Sequence, residues 1–126
     1  MREVFLLDRT AFEEYIVDHY GVTAEYPWMR TPTHAVYRHQ HNSKWFAVVM
    51  QLPRRVLGME GDAAVDVVNL KCDPLLMGSL LREEGIHRGY HMNKAHWITV
   101  RLDGSVDDAR VHWLLDMSYD LTARQK

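Results

Sequence analysis

Gly89-Tyr90-His91-Met92-Asn93-Lys94-Ala95-His96-Trp97-Ile98-Thr99-Val100 is the stretch whose reading decides the fold. From His96 to Leu102 it has the two-residue period of a strand. Trp97, Thr99 and Arg101 fall on one face, and Ile98, Val100 and Leu102 on the other. The first half, Gly89 to Lys94, is too polar for a core and too aromatic for a plain loop. That mixture presents stacking surfaces and hydrogen-bond donors to a partner.

Upstream of this stretch, Cys72-Asp73-Pro74 starts a helix. Asp73 can accept from the free N–H groups, and Pro74 stands where its missing N–H costs nothing. Leu76, Met77, Leu80 and Leu81 form the inward face, and Gly85 stops the segment. Downstream, Asp103-Gly104 turns the chain. Ser105 and Asp108 have capping-box spacing, with Asp107 as the competing cap. Val111, Leu114, Leu115, Ser118 and Thr122 share one face of a last helix, and Arg124 and Lys126 suit its negative end.

In the N-terminal half, Asp8 or Thr10 caps a helix over Arg9 to Tyr20. Phe12, Tyr15, Ile16 and His19 lie on one face, and Gly21 is the stop. Val22 to Thr33 is an ordered loop in which Tyr26 and Trp28 call for burial. His34 to Arg38 and Lys44 to Gln51 are strands joined by the polar turn His39 to Ser43. The second, Lys44 to Met50, is apolar on both faces. It belongs inside a sheet, with helix on one side and loops or a partner on the other. Pro53 to Asp62 is an exposed connection, and Ala63 to Lys71 a third strand. Hairpin-like spacing without sustained βαβ alternation makes this an α+β domain: a mostly antiparallel sheet with helices on one face.

The chain has 126 residues, enough for one domain that buries roughly two-thirds of its unfolded surface without a disulfide or metal staple. A formal net charge of −2 weighs against coating nucleic acid by bulk electrostatics, and leaves a local basic patch as the alternative. The lone cysteine, Cys72, forms no internal disulfide and is compatible with a reducing cytoplasm, the default location. No apolar run is long enough for a transmembrane helix, and the start, Met1 to Asp8, reaches an acid too soon for a signal peptide.

Eight histidines invite a metal reading, with His39 and His41 two apart and His87, His91 and His96 around the central stretch. They come with no HExxH, no Cys/His framework and no carboxylate at a helical offset, so they read as surface and rim histidines, with no metal or other cofactor. Cys72 precedes a helix N-terminus, which can lower a thiol pKa, but the end of a buried strand is also where free Cys serves as a small apolar residue. No nucleophile elbow, P-loop or dinucleotide fingerprint occurs, and no catalytic residue is expected. Lys71, Arg88, Tyr90, His91, Lys94 and His96 are the candidate nucleic-acid contacts, with Arg54 and Arg55 as a wing in the exposed connection. Lysines hold phosphates, and Tyr90 and His91 stack or donate.

Five motifs carry a family resemblance: Glu25-Tyr26-Pro27-Trp28, Lys44-Trp45-Phe46-Ala47, Asn69-Leu70-Lys71-Cys72-Asp73-Pro74, the central stretch itself, and Ser118-Tyr119-Asp120-Leu121. In this order they resemble the MmcQ/YjbR-like proteins, small bacterial domains usually labelled DNA-binding. The resemblance implies an α-β-β-β-α-β-β-α order in a two-layer α/β sandwich, likened also to secretion chaperones and double-wing proteins. It adds a short strand over Ile86 to His91. Arg88 stands where the family often has Pro, and the Pro53 to Asp62 connection is long for it. The function expected is non-enzymatic DNA binding. Its rival is a protein-binding module, chaperone-like or homodimeric, with an exposed apolar patch. Neither involves a membrane.

Overall fold

The computed structural model describes residues 8–124. The N-terminal stretch weighed as a signal peptide (apart from Asp8), and Lys126, lie outside the described residues. Helix α1 spans Arg9–Tyr20, its first turn held by the Asp8 carboxylate accepting from the Ala11 N–H at 2.9 Å. Gly21 closes it in the left-handed region, φ 66°. Strands β1 (Ala35–Arg38), β2 (Trp45–Pro53) and β3 (Ala64–Lys71) follow, with a 3-10 turn over Arg54–Leu57 between the last two. Helix α2 (Pro74–Leu80) starts on the Asp73 cap. Strands β4 (Ile86–Arg88) and β5 (Trp97–Arg101) precede α3 (Asp108–Ala123), whose cap is Asp107, not Ser105. Ser105 is turned instead onto the Asp103 carboxylate.

The strands form one antiparallel sheet in the order β1-β2-β3-β5-β4. All three helices lie on one face. Phe12, Ile16, Met77, Leu80, Val111, Leu114 and Leu115 pack there on Tyr37, Val49, Val68, Leu70, Ile98 and Val100. Burying each such side chain contributes about 1.5–3 kcal/mol. The expected α3 face is buried at every position named, and its Ser118 hydroxyl ties the helix to the sheet, donating to the Phe46 carbonyl at 2.6 Å and accepting from the Lys71 N–H at 2.8 Å.

A second apolar cluster occupies the opposite, helix-free face: Val36, Val48, Met50, Leu52, Val65 and Val67. No helix covers it. Trp28 from the first loop, Trp45, Leu57 from the 3-10 turn and Tyr90 pack against it instead. This accounts for a β2 that is apolar on both sides. The start of β2 carries a bulge. Tyr37 pairs with Ala47 but Arg38 with Trp45, so Phe46 is the extra residue. Phe46 enters the helix-side core while Trp45 turns to the helix-free face.

Three expectations need correction. Tyr26 is 58% exposed. Glu25 is fixed to the sheet edge by reciprocal backbone hydrogen bonds with Val36 (2.9 and 2.8 Å), and this leaves Tyr26 outside while Trp28 reaches Trp45. Strand β4 ends at Arg88 rather than His91, because the Tyr90 N–H donates to the Thr99 hydroxyl at 2.8 Å and so leaves the ladder. His39 and His41 serve the end of α3: His39 Nε2–H faces the Thr122 hydroxyl (2.8 Å) and the Tyr119 carbonyl (3.1 Å), and His41 Nε2–H the Ala123 carbonyl (2.9 Å). Asn42 donates to the Thr122 carbonyl at 2.9 Å, so the β1–β2 turn caps the carbonyls that α3 leaves open.

Candidate nucleic-acid interface

The Gly89–Lys94 segment is held by contacts of four kinds. The Gly89 N–H donates to the Trp97 carbonyl at 3.0 Å, and a Cβ at Gly89 would lie 2.7 Å from the Trp97 Cβ and 2.9 Å from its carbonyl oxygen. Only glycine allows that approach. Asn69 and Thr99, both fully buried, then take the Tyr90 backbone. Asn69 Nδ2 donates to the Tyr90 carbonyl at 2.9 Å, while the Thr99 hydroxyl accepts from the Tyr90 N–H and donates to Asn69 Oδ1. Lys94 Nζ donates to the Gly89 carbonyl at 2.7 Å. Asn93 Oδ1 accepts from the Ala95 N–H at 2.9 Å. His91 adopts φ 58°, a left-handed conformation uncommon for a residue with a side chain.

The segment thereby becomes one wall of a groove of about 620 Å³ on the helix-free face. Tyr90, His91 and Met92 form that wall, Trp28, His34 and Trp45 stand among the other lining residues, and Val48, Met50 and Asn69 come from the sheet. Trp28 and Trp45 meet edge to face at 5.6 Å, as do Tyr90 and His91 at 4.1 Å. Among the described residues no carboxylate lines the groove. Burial, helped by the nearby Arg9 charge, holds the His34 ring below its ordinary pKa, so its neutral form is favoured.

Beside Trp45 lies a smaller depression of about 310 Å³, formed by Ser43, Lys44, Trp45, Lys71, Trp97 and Thr122. The Lys71 ammonium lies 5.4 Å from the centre of the Trp97 ring. Its pKa is lowered by burial and, next, by the Lys44 charge.

The expected contacts divide. Lys71, Tyr90 and His91 come together around the groove and its neighbouring depression. Arg88 does not: it pairs with Ile98, in the register of the helix-covered face, at the β4 edge. Lys94 is occupied by the Gly89 carbonyl. His96 lines neither cavity, and its carbonyl accepts from the Cys72 N–H at 2.7 Å. Arg54 folds back, its Nε donating to the Glu60 carbonyl at 3.3 Å, while Arg55 is exposed on the 3-10 turn at the far end of β2. Trp28, His34, Lys44, Trp45 and Asn69 were not among the expected contacts. The Lys44-Trp45 pair flanking a doubly apolar strand was a usable signal; the bulge that turns Trp45 was not visible.

Catalytic alternatives fare differently. Cys72 is buried, and desolvation with the Asp73 charge pushes its thiol up to about 11, the reverse of an activated nucleophile. Among the described residues no three His, Cys, Asp or Glu side chains gather as a metal would need. No helix among them is long and apolar enough to cross a membrane.

Comparison with known proteins gives consistent results. A model of the YjbR family matches residues 17–121. The uncharacterized protein YyaQ of Bacillus subtilis (strain 168) is 34% identical over 117 residues, covering 93% of this chain and 99% of that protein. The uncharacterized protein YjbR of Escherichia coli (strain K12) is 46% identical over 54 residues, 41% of this chain and 45% of that protein. A crystal structure of a Pseudomonas syringae protein superposes with a TM-score of 0.89 at 43% identity, covering 91% and 98% of the two chains. A Deinococcus radiodurans structure with a TM-score of 0.71 and 24% identity, covering 95% and 81%, shares the fold.

Proposed function

This chain belongs to the YjbR family, and we propose that it binds unpaired nucleic acid, single-stranded DNA in the first instance, along its helix-free face. The observation that carries this reading is the groove walled by Trp28, Trp45 and Tyr90, lined by no carboxylate among the described residues, with Lys44 and Lys71 beside it. Aromatic faces stack on any base, contributing about 1–3 kcal/mol per base, and lysines hold the phosphates. The net charge of −2 does not oppose this, since carboxylates such as Glu13, Glu14 and Asp18, or Asp73, Asp116 and Asp120, line cavities other than the groove. Strand β2 runs the length of the face. Its nine residues, at ~3.3 Å each, separate the lysine end from Arg54 and Arg55 by roughly 30 Å, room for several nucleotides. The role is binding without chemistry, in the cytoplasm, where a lone buried thiol is at ease.

Titration of a fluorescent oligothymidylate tests the reading. Binding that weakens with salt, quenches tryptophan fluorescence and falls about tenfold or more in Trp45→Ala is expected. Absence of binding at about 100 mM salt, or affinity indifferent to salt, overturns it.

One observation favours a protein-binding role as a second reading. Leu75 is 91% and Trp113 47% exposed, and Trp113 shares a shallow cavity with Leu76, Met117 and Leu121 on the helix layer. Asp73, Asp116 and Asp120 rim it, with Arg124 at one end, so its charge fits a basic amphipathic helix of a partner. A Leu/Lys helical peptide should bind and lose affinity in Trp113→Ala. Equal binding by that variant counts against this surface.

A further inference from the structure

We propose that the depression between Lys44 and Lys71 seats a terminal phosphate monoester: the phosphorylated end of the strand whose bases occupy the groove. The inference rests on the groove reading and adds an end to it.

Ala47 pairs with Leu70, so the start of β2 and the end of β3 lie side by side and bring Lys44 and Lys71 to one cavity. Its floor is built, not merely open: the Lys71 ammonium stands over the Trp97 ring, Trp97 is buried, and Ser43, Trp45 and Thr122 line the rest. Trp45 is common to this cavity and the groove, so an anion held here adjoins the first stacked base.

Neither lysine has a carboxylate within ion-pair distance among the described residues. The nearby end of α3 does not need them, because His39, His41 and Asn42 already face its Tyr119, Thr122 and Ala123 carbonyls. Two like charges are therefore gathered with no carboxylate between them among the described residues, an arrangement that marks binding sites more than structural ones. The lowered Lys71 pKa, caused by burial and by Lys44, is the electrostatic trace of that arrangement. A phosphodiester brings one negative charge. A terminal monoester brings about two near pH 7 and three strong acceptor oxygens, which matches the two ammoniums.

The test uses one short oligothymidylate in three forms: 5′-phosphorylated, 3′-phosphorylated and without terminal phosphate. One phosphorylated form is expected to bind about tenfold tighter than the unphosphorylated strand, and which one it is gives the polarity. Lys44→Ala and Lys71→Ala should each bring the affinity ratio of phosphorylated to unphosphorylated strand close to one, whatever either substitution also costs the unphosphorylated strand. Equal affinity for all three forms overturns the inference and spares the groove, as does a preference that survives both substitutions. If no oligonucleotide binds, inorganic phosphate separates the two ideas. Shifts of the Ser43 to Trp45 amide resonances that vanish in Lys44→Ala keep the anion seat while the groove reading falls. Absence of such shifts removes both. Lys44 is exposed, so its variant reports on the site even if Lys71→Ala folds poorly.

Discussion

Asn69 and Thr99 face each other across β3 and β5, both fully buried, and between them they hold Tyr90 by its N–H and its carbonyl. A buried amide and hydroxyl inside an apolar sheet face are tolerated because each is satisfied by the other and by the loop. The pair turns a sequence-local loop into a rigid wall of the groove.

Thr99→Val keeps the shape and removes the hydroxyl, leaving the Tyr90 N–H without its acceptor and Asn69 Oδ1 without its donor. A loss of about 1–3 kcal/mol is expected in urea denaturation. Faster amide exchange at Tyr90 should accompany it. An unchanged midpoint would mean that water replaces the hydroxyl and that the pair does not hold the loop.

Gly89→Ala should be destabilising for a steric reason alone. The new methyl carbon would come within 2.7 Å of the Trp97 Cβ. Relief requires β4 and β5 to separate, costing about 1–3 kcal/mol. Gly78→Ala serves as the control, since a Cβ there meets nothing within 4 Å and α2 favours alanine. Equal stability of the two variants contradicts the close approach.

Lys71→Ala and Lys94→Ala should separate binding from stability. Lys71 has no carboxylate partner among the described residues, so its removal should weaken oligonucleotide binding and lower the salt slope by about 0.7. Lys94 is bonded to the Gly89 carbonyl, so its removal should cost about 1 kcal/mol of stability and affect binding less. The reverse ranking in binding would put Lys94, not Lys71, on the phosphates.

Stability should fall as the solution is acidified. Burial, then the His41 charge, holds the buried His39 below its ordinary pKa of 6.5, and burial does the same to His34 and His87. The unfolded chain takes up protons first, so unfolding becomes easier as pH drops through about 6.5 and below, down to the folded-state pKa values. Denaturation midpoints near neutral pH and about one unit below 6.5 check this. His39→Gln, which keeps a donor toward the α3 carbonyls, should reduce the pH dependence. A midpoint that rises on acidification would reverse the assigned sign.

Cys72 should resist thiol reagents in the folded protein. With its pKa near 11, only about one thiol in a thousand is ionised at pH 8, and the sulfur is buried. Labelling is expected to require unfolding. Rapid modification of the native protein would show that the strand end at Cys72 opens readily.

Much of the fold could be read from the residues in order. Asp73 announces its helix start, and Asp8 and Asp107 each stand as one of two candidate caps, because capping is chemistry within three residues. The buried face of α3, Val111 to Thr122, follows from 3.6-residue spacing alone. The alternation of β5 likewise separates Ile98 and Val100 from Trp97 and Thr99 before any partner strand is known. Such features depend on neighbours along the chain, and a sequence states those directly.

The site was less legible. Tyr90, His91 and Lys71 stand out by composition, but composition does not say that Lys94 is tied to a carbonyl or that Arg88 belongs to the other face's register. It also does not reveal that one extra residue at Phe46 sends Trp45 to the helix-free face, or that β2 and β3 end with Lys44 beside Lys71. These are matters of register and loop closure between residues far apart in sequence. A shift of one position in pairing exchanges the two faces of a strand without altering any local pattern. The sequence by itself therefore determined most of the elements and the buried faces of α3 and β5. The tertiary pairing decided which aromatic rings and cations share a groove.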